Sequence, residues 1–214
     1  MNGNRMDTTC NGIISAIYLN CNANNIANLD GIQYFDTLAV INCQDNQLTN
    51  LPTLPSYLKV LSCENNQLTS LTSLPGTLIT LNCSKNQLTT LPALPLTLTT
   101  LSCDENQLTS LPPLPNFLVE LYCMTNQLTV LPALPNTLVR LDCEENQLSS
   151  LPILPQALTN FWCGNNNLTS LPILPNSLKI FGCYNNQISY IPNFPDQCLV
   201  ATCKIIPTYI VYLK

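Results

Sequence analysis

Apolar residues return along this chain with two superimposed periods. Within a short stretch such as Leu98-Thr99-Thr100-Leu101-Ser102-Cys103-Asp104 they alternate with polar ones, the period of a strand buried on one face. The stretch itself returns every 20 residues: cysteines stand at 43, 63, 83, 103, 123, 143, 163, 183 and 203, and asparagines at 46, 66, 86, 106, 126, 146, 166 and 186. Between them runs the unit L-x-x-L-x-C-x-x-N-Q-L-T-x-L-P-x-L-P-x-x, as in residues 98–117. An earlier copy passes through Leu19, Cys21, Asn24, Ile26 and Leu29, 22 residues before the next, because residues 31–36 replace the L-P-x-L-P turn. A fixed period of this length is the signature of stacked structural repeats.

Each unit predicts one coil. Leu101 and Cys103 face inward from a short strand. Asn106 then turns the chain, its amide bonding backbone groups that the turn leaves without ladder partners. Leu108 and Leu111 point back into the core. Leu111-Pro112-Pro113-Leu114-Pro115 closes the coil in extended form, since proline fixes φ and restricts the residue before it. Twenty residues leave no room for a full helix on the outer side, so successive strands stack in parallel, one right-handed coil per unit. A single coil cannot bury its leucine face; stacked neighbours can.

L-x-x-L-x-C-x-x-N-Q-L-T-x-L-P resembles a leucine-rich repeat, and the double L-P turn is similar to the short bacterial LPX class of type III secreted effectors. The resemblance covers about residues 13–203. The strand cysteine and the lack of a leading helical hairpin depart from those effectors. The opening NNIANLDGIQYFDTLAVINCQDNQLTNLP is more similar to exported multidomain repeat proteins of Bacteroidetes-type bacteria. The ubiquitin-ligase activity that some LPX effectors carry in a domain after the repeats is not carried over to these repeats and is not expected of them. The implied fold is a leucine-rich-repeat solenoid, α/β by class but mostly β in practice. Short parallel strands form the concave face and extended L-P turns the convex face, with little or no helix. We expect one solenoid domain over residues 1–214: an N-terminal cap at 1–17, nine to ten repeats over 18–203, and an apolar strand-like lid at 204–214.

Composition narrows the function. Of 214 residues 46% are hydrophobic but only 9% charged, with 17 Pro, 12 Cys and no His. The net charge of −5, with seven Lys and Arg scattered along the chain, lacks the basic stripe that a nucleic-acid backbone requires. No run of 18 or more apolar residues is present, which argues against membrane insertion. Residues 1–11 are polar, without the apolar segment of a signal peptide. The missing His removes the commonest general base and metal ligand.

Several constellations invite chemistry. The cysteine column falls on neighbouring strands and points into the leucine core, where thiols act as small hydrophobes; Cys63 to Cys183 are expected to be reduced and buried. A disulfide involving Cys10 or Cys198 is the alternative, and no C-x-x-C pair suggests zinc. Asp7, Thr9, Asn11 and Gly12 are spaced like half of a calcium loop, but Tyr18 stands where its bidentate Glu is required, so a polar turn is expected. The Gln column (Gln47 to Gln187) and the Thr or Ser column (Thr49 to Ser189) are regular enough for an ice or polysaccharide array. The reading preferred is turn chemistry, with hydroxyls satisfying local backbone and Gln solvated.

The outward strand positions are free to vary and therefore to specify a partner. Early coils carry small polar residues there. Later coils bring Tyr122, Met124, Trp162 and Tyr184 beside Asp104, Glu105, Glu120, Asp142, Glu144 and Glu145, with Arg140 the lone cation among them. Aromatic anchors in a surround of one charge sign suit an interface. The expected binding residues are Asp104, Glu120, Tyr122, Met124, Arg140, Asp142, Glu144, Trp162 and Tyr184, with no catalytic residue, cofactor or metal. The expectation is a non-enzymatic, monomeric binding module for a basic protein partner, not nucleic acid, secreted or on the cell surface, with the cytoplasm as alternative. A structural spacer or adhesion segment of a larger exported protein, or a weak carbohydrate binder using Trp162 and Tyr122, are the other readings.

Overall fold

In the computed structural model, residues 16–205 and 209–210 are described. The chain divides into two compact units, Met1–Gln107 and Leu108–Lys214, each a stack of 20-residue coils. The first holds five short parallel strands: β1 (Tyr18–Asn20), β2 (Val40–Asn42), β3 (Val60–Ser62), β4 (Thr80–Asn82) and β5 (Thr100–Ser102). The second holds β6 (Glu120–Tyr122), β7 (Arg140–Asp142), β8 (Asn160–Trp162), β9 (Ile180–Gly182) and β10 (Val200–Thr202), then an antiparallel pair, β11 (Lys204–Ile205) with β12 (Tyr209–Ile210). Register within each stack is unshifted, Leu61 opposite Leu81 and Leu141 opposite Phe161. The solenoid expected from the repeat is therefore what the chain forms.

One coil shows how the unit folds. Leu81, Cys83, Leu88, Leu98 and Leu101 are inaccessible to solvent. The Leu98 N–H donates to the Pro95 carbonyl at 3.1 Å, a tight turn that the proline's fixed φ prepares. The residue before each column asparagine adopts positive φ, as at Asp45 (57°), Lys85 (55°), Thr125 (53°) and Asn185 (49°).

The asparagine that follows then satisfies backbone in two coils. Asn86 Nδ2 donates to Cys83 O and Ser84 O in its own coil and to Cys63 O in the preceding one, at 3.0–3.1 Å. Its Oδ1 accepts the Leu68 N–H at 2.9 Å. The expected turn role holds, but half of it is stitching between coils.

Elsewhere the structure adds to or corrects the sequence reading. Residues 31–36 form a 3-10 turn at Ile32–Tyr34, entered through Gly31 at φ 104°, a conformation open to glycine without steric cost. Buried thiols are found at Cys43 to Cys163, and Cys198 is also a buried thiol. Cys183 is not: it is joined to Cys203 across adjacent strands with Cα atoms 4.7 Å apart. The expectation of a reduced column fails at that step, because in-register parallel neighbours already lie within disulfide reach.

The exposed Thr and Ser column also differs from expectation. Hydroxyls that bond backbone stand at other positions, most regularly where Thr77, Thr97, Thr137 and Ser177 donate to Leu58, Leu78, Leu118 and Leu158 carbonyls at 2.6–2.8 Å. Cys10 and the half calcium loop lie outside the described residues. Of the N-terminal cap, Ala16 and Ile17 are described, and their carbonyls accept from Thr37 Oγ1 and the Ala39 N–H.

Candidate functional site

In β2 to β8 the middle side chain is buried and the flanking ones are partly or fully open. Period-2 alternation thus leaves three outward columns: the two flanking strand residues and the residue after the cysteine. What fills them differs between the two units.

In the first unit the outward face mixes Tyr18, Val40 and Val60 with small polar residues, and its polar side chains bond to one another. Asn82 Nδ2 donates to Glu64 Oε2, Asn42 Nδ2 to the Tyr18 hydroxyl at 2.9 Å, and the Asp104 N–H to Ser84 Oγ at 3.2 Å. Of the nine residues singled out from sequence, Asp104 belongs here.

The other eight stand in the second unit. Glu120 opposes Arg140 and forms an ion pair with it. Tyr122, Asp142, Trp162 and Gly182 occupy one register line. The Tyr122 hydroxyl lies 3.5 Å from Glu120 Oε2. Burial of its ring raises the Tyr122 pKa, the Glu120 charge adds to this, and Arg140 opposes it. Met124 and Glu144 flank the same line in the third column, both half-buried. Glu145 is instead on the turn, where it accepts from Thr125 Oγ1 at 2.9 Å.

Tyr184 reaches furthest. Its hydroxyl donates to Glu144 Oε2 at 3.0 Å, two coils away. Desolvation of the ring, then that hydrogen bond, then the charges of Glu144, Glu145 and Asp142 push its pKa up to about 12. A phenol so held stays protonated and acts as a donor.

The reach depends on Gly164, between those two coils. A Cβ there would stand 2.6 Å from Tyr184 Cε1, so the ring occupies the place of the missing side chain. Gly182 does the same for the indole, with its Cβ position 3.0 Å from Trp162 Cδ1 and 3.4 Å from Glu144 Oε1. Both glycines were passed over in the sequence reading; the available signal was an outward glycine next in register to an aromatic residue.

The thiols of Cys143 and Cys163 under this face are held protonated. Burial, chiefly, raises the Cys143 and Cys163 thiols well above their ordinary range, and neighbouring acids add to it. Among the described residues no group of three or more His, Cys, Asp or Glu could hold a metal ion, and no helix is long and apolar enough to cross a membrane.

No family model and no curated protein matches this sequence. Solved structures do. YopM from Yersinia enterocolitica WA-314 is 32% identical with a TM-score of 0.74, over 84% of this chain and 44% of that one. A Shigella effector leucine-rich-repeat domain is 39% identical with a TM-score of 0.61, over 67% of this chain and 70% of that one. The functional domain of InlJ from Listeria monocytogenes, which includes a cysteine ladder, is 28% identical with a TM-score of 0.65, over 88% and 48%. The chain spans about half the length of the YopM and InlJ structures it matches. The coil geometry, the buried leucine and asparagine columns and these likenesses agree: the chain belongs to the leucine-rich-repeat proteins, with bacterial effectors among its relatives.

Proposed function

We propose that the chain is a non-catalytic protein-binding module, and that the outward strand face of Leu108–Lys214 takes a basic partner protein. The observation that carries this is the contrast between the two units. The first unit ties several of its outward polar side chains to one another, as Asn82 to Glu64 and Asn42 to Tyr18, whereas the second gathers Tyr122, Met124, Trp162 and Tyr184 among Glu120, Asp142 and Glu144. Repeat solenoids commonly bind partners along such faces, and rigid aromatics amid charge of one sign make interface anchors. The Cys183–Cys203 disulfide suits an oxidising compartment, in keeping with a secreted or cell-surface place of action.

The test uses peptide binders selected from a random library against the whole chain. They should be enriched in Lys and Arg. Trp162→Ala and Tyr122→Ala should each weaken them by about 2 kcal/mol, roughly thirtyfold. Ser62→Ala and Asn82→Ala on the first unit should leave affinity unchanged. Equal losses from both sets would refute a localised site. Losses confined to Ile153→Ala and Ile173→Ala, both exposed on the outer turns, would move the site off the strand face.

A further inference from the structure

The two oxygens of Glu144 have different surroundings. Oε2 accepts the Tyr184 hydroxyl at 3.0 Å. Oε1 is shut off from solvent and has no hydrogen-bond partner. A carboxylate oxygen buried in that state forfeits hydration without compensation, and each such acceptor in a native fold calls for a donor.

Arg140, the cation of the coil that carries Glu144, does not supply one, being engaged with Glu120. What the chain supplies is a setting. The Glu144 oxygen, the Trp162 indole edge and the Thr202 hydroxyl converge on the place a Gly182 side chain would fill, the hydroxyl making no hydrogen bond to Glu144 Oε1, and the Tyr184 ring lies over Gly164. Two glycines thus clear the floor, two aromatic rings wall it, and a carboxylate with an unmet acceptor lies at its base.

We propose that Glu144, Trp162 and Tyr184 form the receptor for one arginine side chain of the partner protein, the guanidinium stacking on the indole and donating to Glu144 Oε1. Guanidinium fits better than ammonium, because it is planar, less strongly hydrated, and can stack on an aromatic face while donating in its own plane. This deepens the strand-face reading and rests on it. The indole edge shifts as the guanidinium enters, so Trp162 both covers the oxygen and reports its capture.

Trp162 is the chain's single tryptophan, so its fluorescence reads the site directly. The whole chain is titrated with a tetra-arginine peptide, its tetra-citrulline isostere and a tetra-lysine peptide. The expected result is a saturable change with arginine, with binding at least tenfold weaker for citrulline and for lysine. Glu144→Gln should cost arginine binding tenfold or more. Gln can still accept from Tyr184, so the fold should persist by circular dichroism. Gly182→Ala should also lower affinity, by crowding both the indole and the carboxylate. Equal response to arginine and citrulline, equal response to lysine, or unchanged arginine affinity in Glu144→Gln would each overturn the receptor. If it is overturned while Trp162→Ala still weakens the library-selected binders, the strand-face reading stands without it. If both fail, both are wrong.

Discussion

Replacing Asn146 by leucine tests whether the asparagine column holds the coils together. Asn146 Nδ2 donates to Cys123 O at 3.0 Å, Cys143 O at 3.2 Å and Glu144 O at 3.0 Å, and its Oδ1 accepts the Leu128 N–H at 3.0 Å. The four losses are unequal. Cys123 O still receives Asn126 Nδ2, Cys143 O still receives Asn166 Nδ2, and Glu144 O still receives the Thr125 N–H. The Leu128 amide is left with no acceptor inside a buried turn, which costs about 1–3 kcal/mol. The weakened carbonyls add about 1 kcal/mol more. Asn146→Leu should therefore destabilise by roughly 2–4 kcal/mol, or about 4–16 °C in Tm for a chain of this size, read by urea titration and by melting. Asn146→Asp supplies the contrast. It keeps an acceptor for Leu128 but turns a carboxylate onto three carbonyl oxygens, so it should be at least as damaging at neutral pH. It should recover on acidification, as the protonated carboxyl becomes a donor again. Asn46 accepts two amides of the first coil, Asn24 N–H and Ile26 N–H, both only part-buried; Asn46→Leu should cost less because water can reach them. A urea midpoint for Asn146→Leu equal to that of the unsubstituted chain would refute the reasoning.

The remaining predictions read other columns. Thiol titration of the native chain should find few reactive groups, because burial holds the Cys63, Cys83, Cys143 and Cys163 thiols protonated; up to ten, the 12 cysteines less the disulfide pair, should react after unfolding. Quantitative reaction without unfolding would contradict a buried column. Reducing Cys183–Cys203, which closes a 20-residue separation, should lower stability by up to about 3 kcal/mol, and an unchanged midpoint after reduction would show that it fastens nothing. Thr125→Asn should stabilise by about 0.5–1 kcal/mol, since a β-branched residue is strained at φ 53° while Asn tolerates it; Asn65 shows that an amide there can also reach the neighbouring coil's acid, Asp45 at 2.6 Å. Tyr184 is favoured in its protonated form by the fold, so its contribution is fully present below the ordinary pKa of 10 and is lost as pH rises through about 12. Gly164→Ala should push the ring off Glu144 and move that titration downward in the tyrosinate absorbance, and an unmoved titration would separate the ring from the glycine.

The fold was legible because repetition multiplies a weak local signal. One L-x-C alternation could belong to many strands, but the same alternation at a fixed step leaves one way to bury every copy. Where the period is silent, so was the reading. All the column cysteines share one spacing, so nothing marks Cys183 and Cys203 as the pair that joins. The positive φ before each asparagine was equally hidden. Asn65, Asn165 and Asn185 suit that conformation, but Lys85, Glu105, Thr125 and Glu145 do not. They adopt it because the asparagine that follows must reach carbonyls in two coils. Tertiary bonding overrides local preference at those four positions.

The site was legible to the depth of a column and no further. Period-2 alternation places Tyr122, Trp162 and Tyr184 on the outward side, and unshifted register sets each beside its neighbour 20 residues on. It does not say which way a ring leans. Tyr184 bonds Glu144, 40 residues away in sequence, because Gly164 leaves the intervening place empty; Trp162 leans the other way, over Gly182. In a solenoid every outward position has a fixed neighbour on each side, so an outward glycine acts as a vacancy with two candidate occupants. At Gly164 the occupant is the Tyr184 ring reaching for the acid on the far side, and at Gly182 it is the Trp162 indole, with Thr202 on the other side. That rule turns two residues with no side chains into the most informative positions on the face.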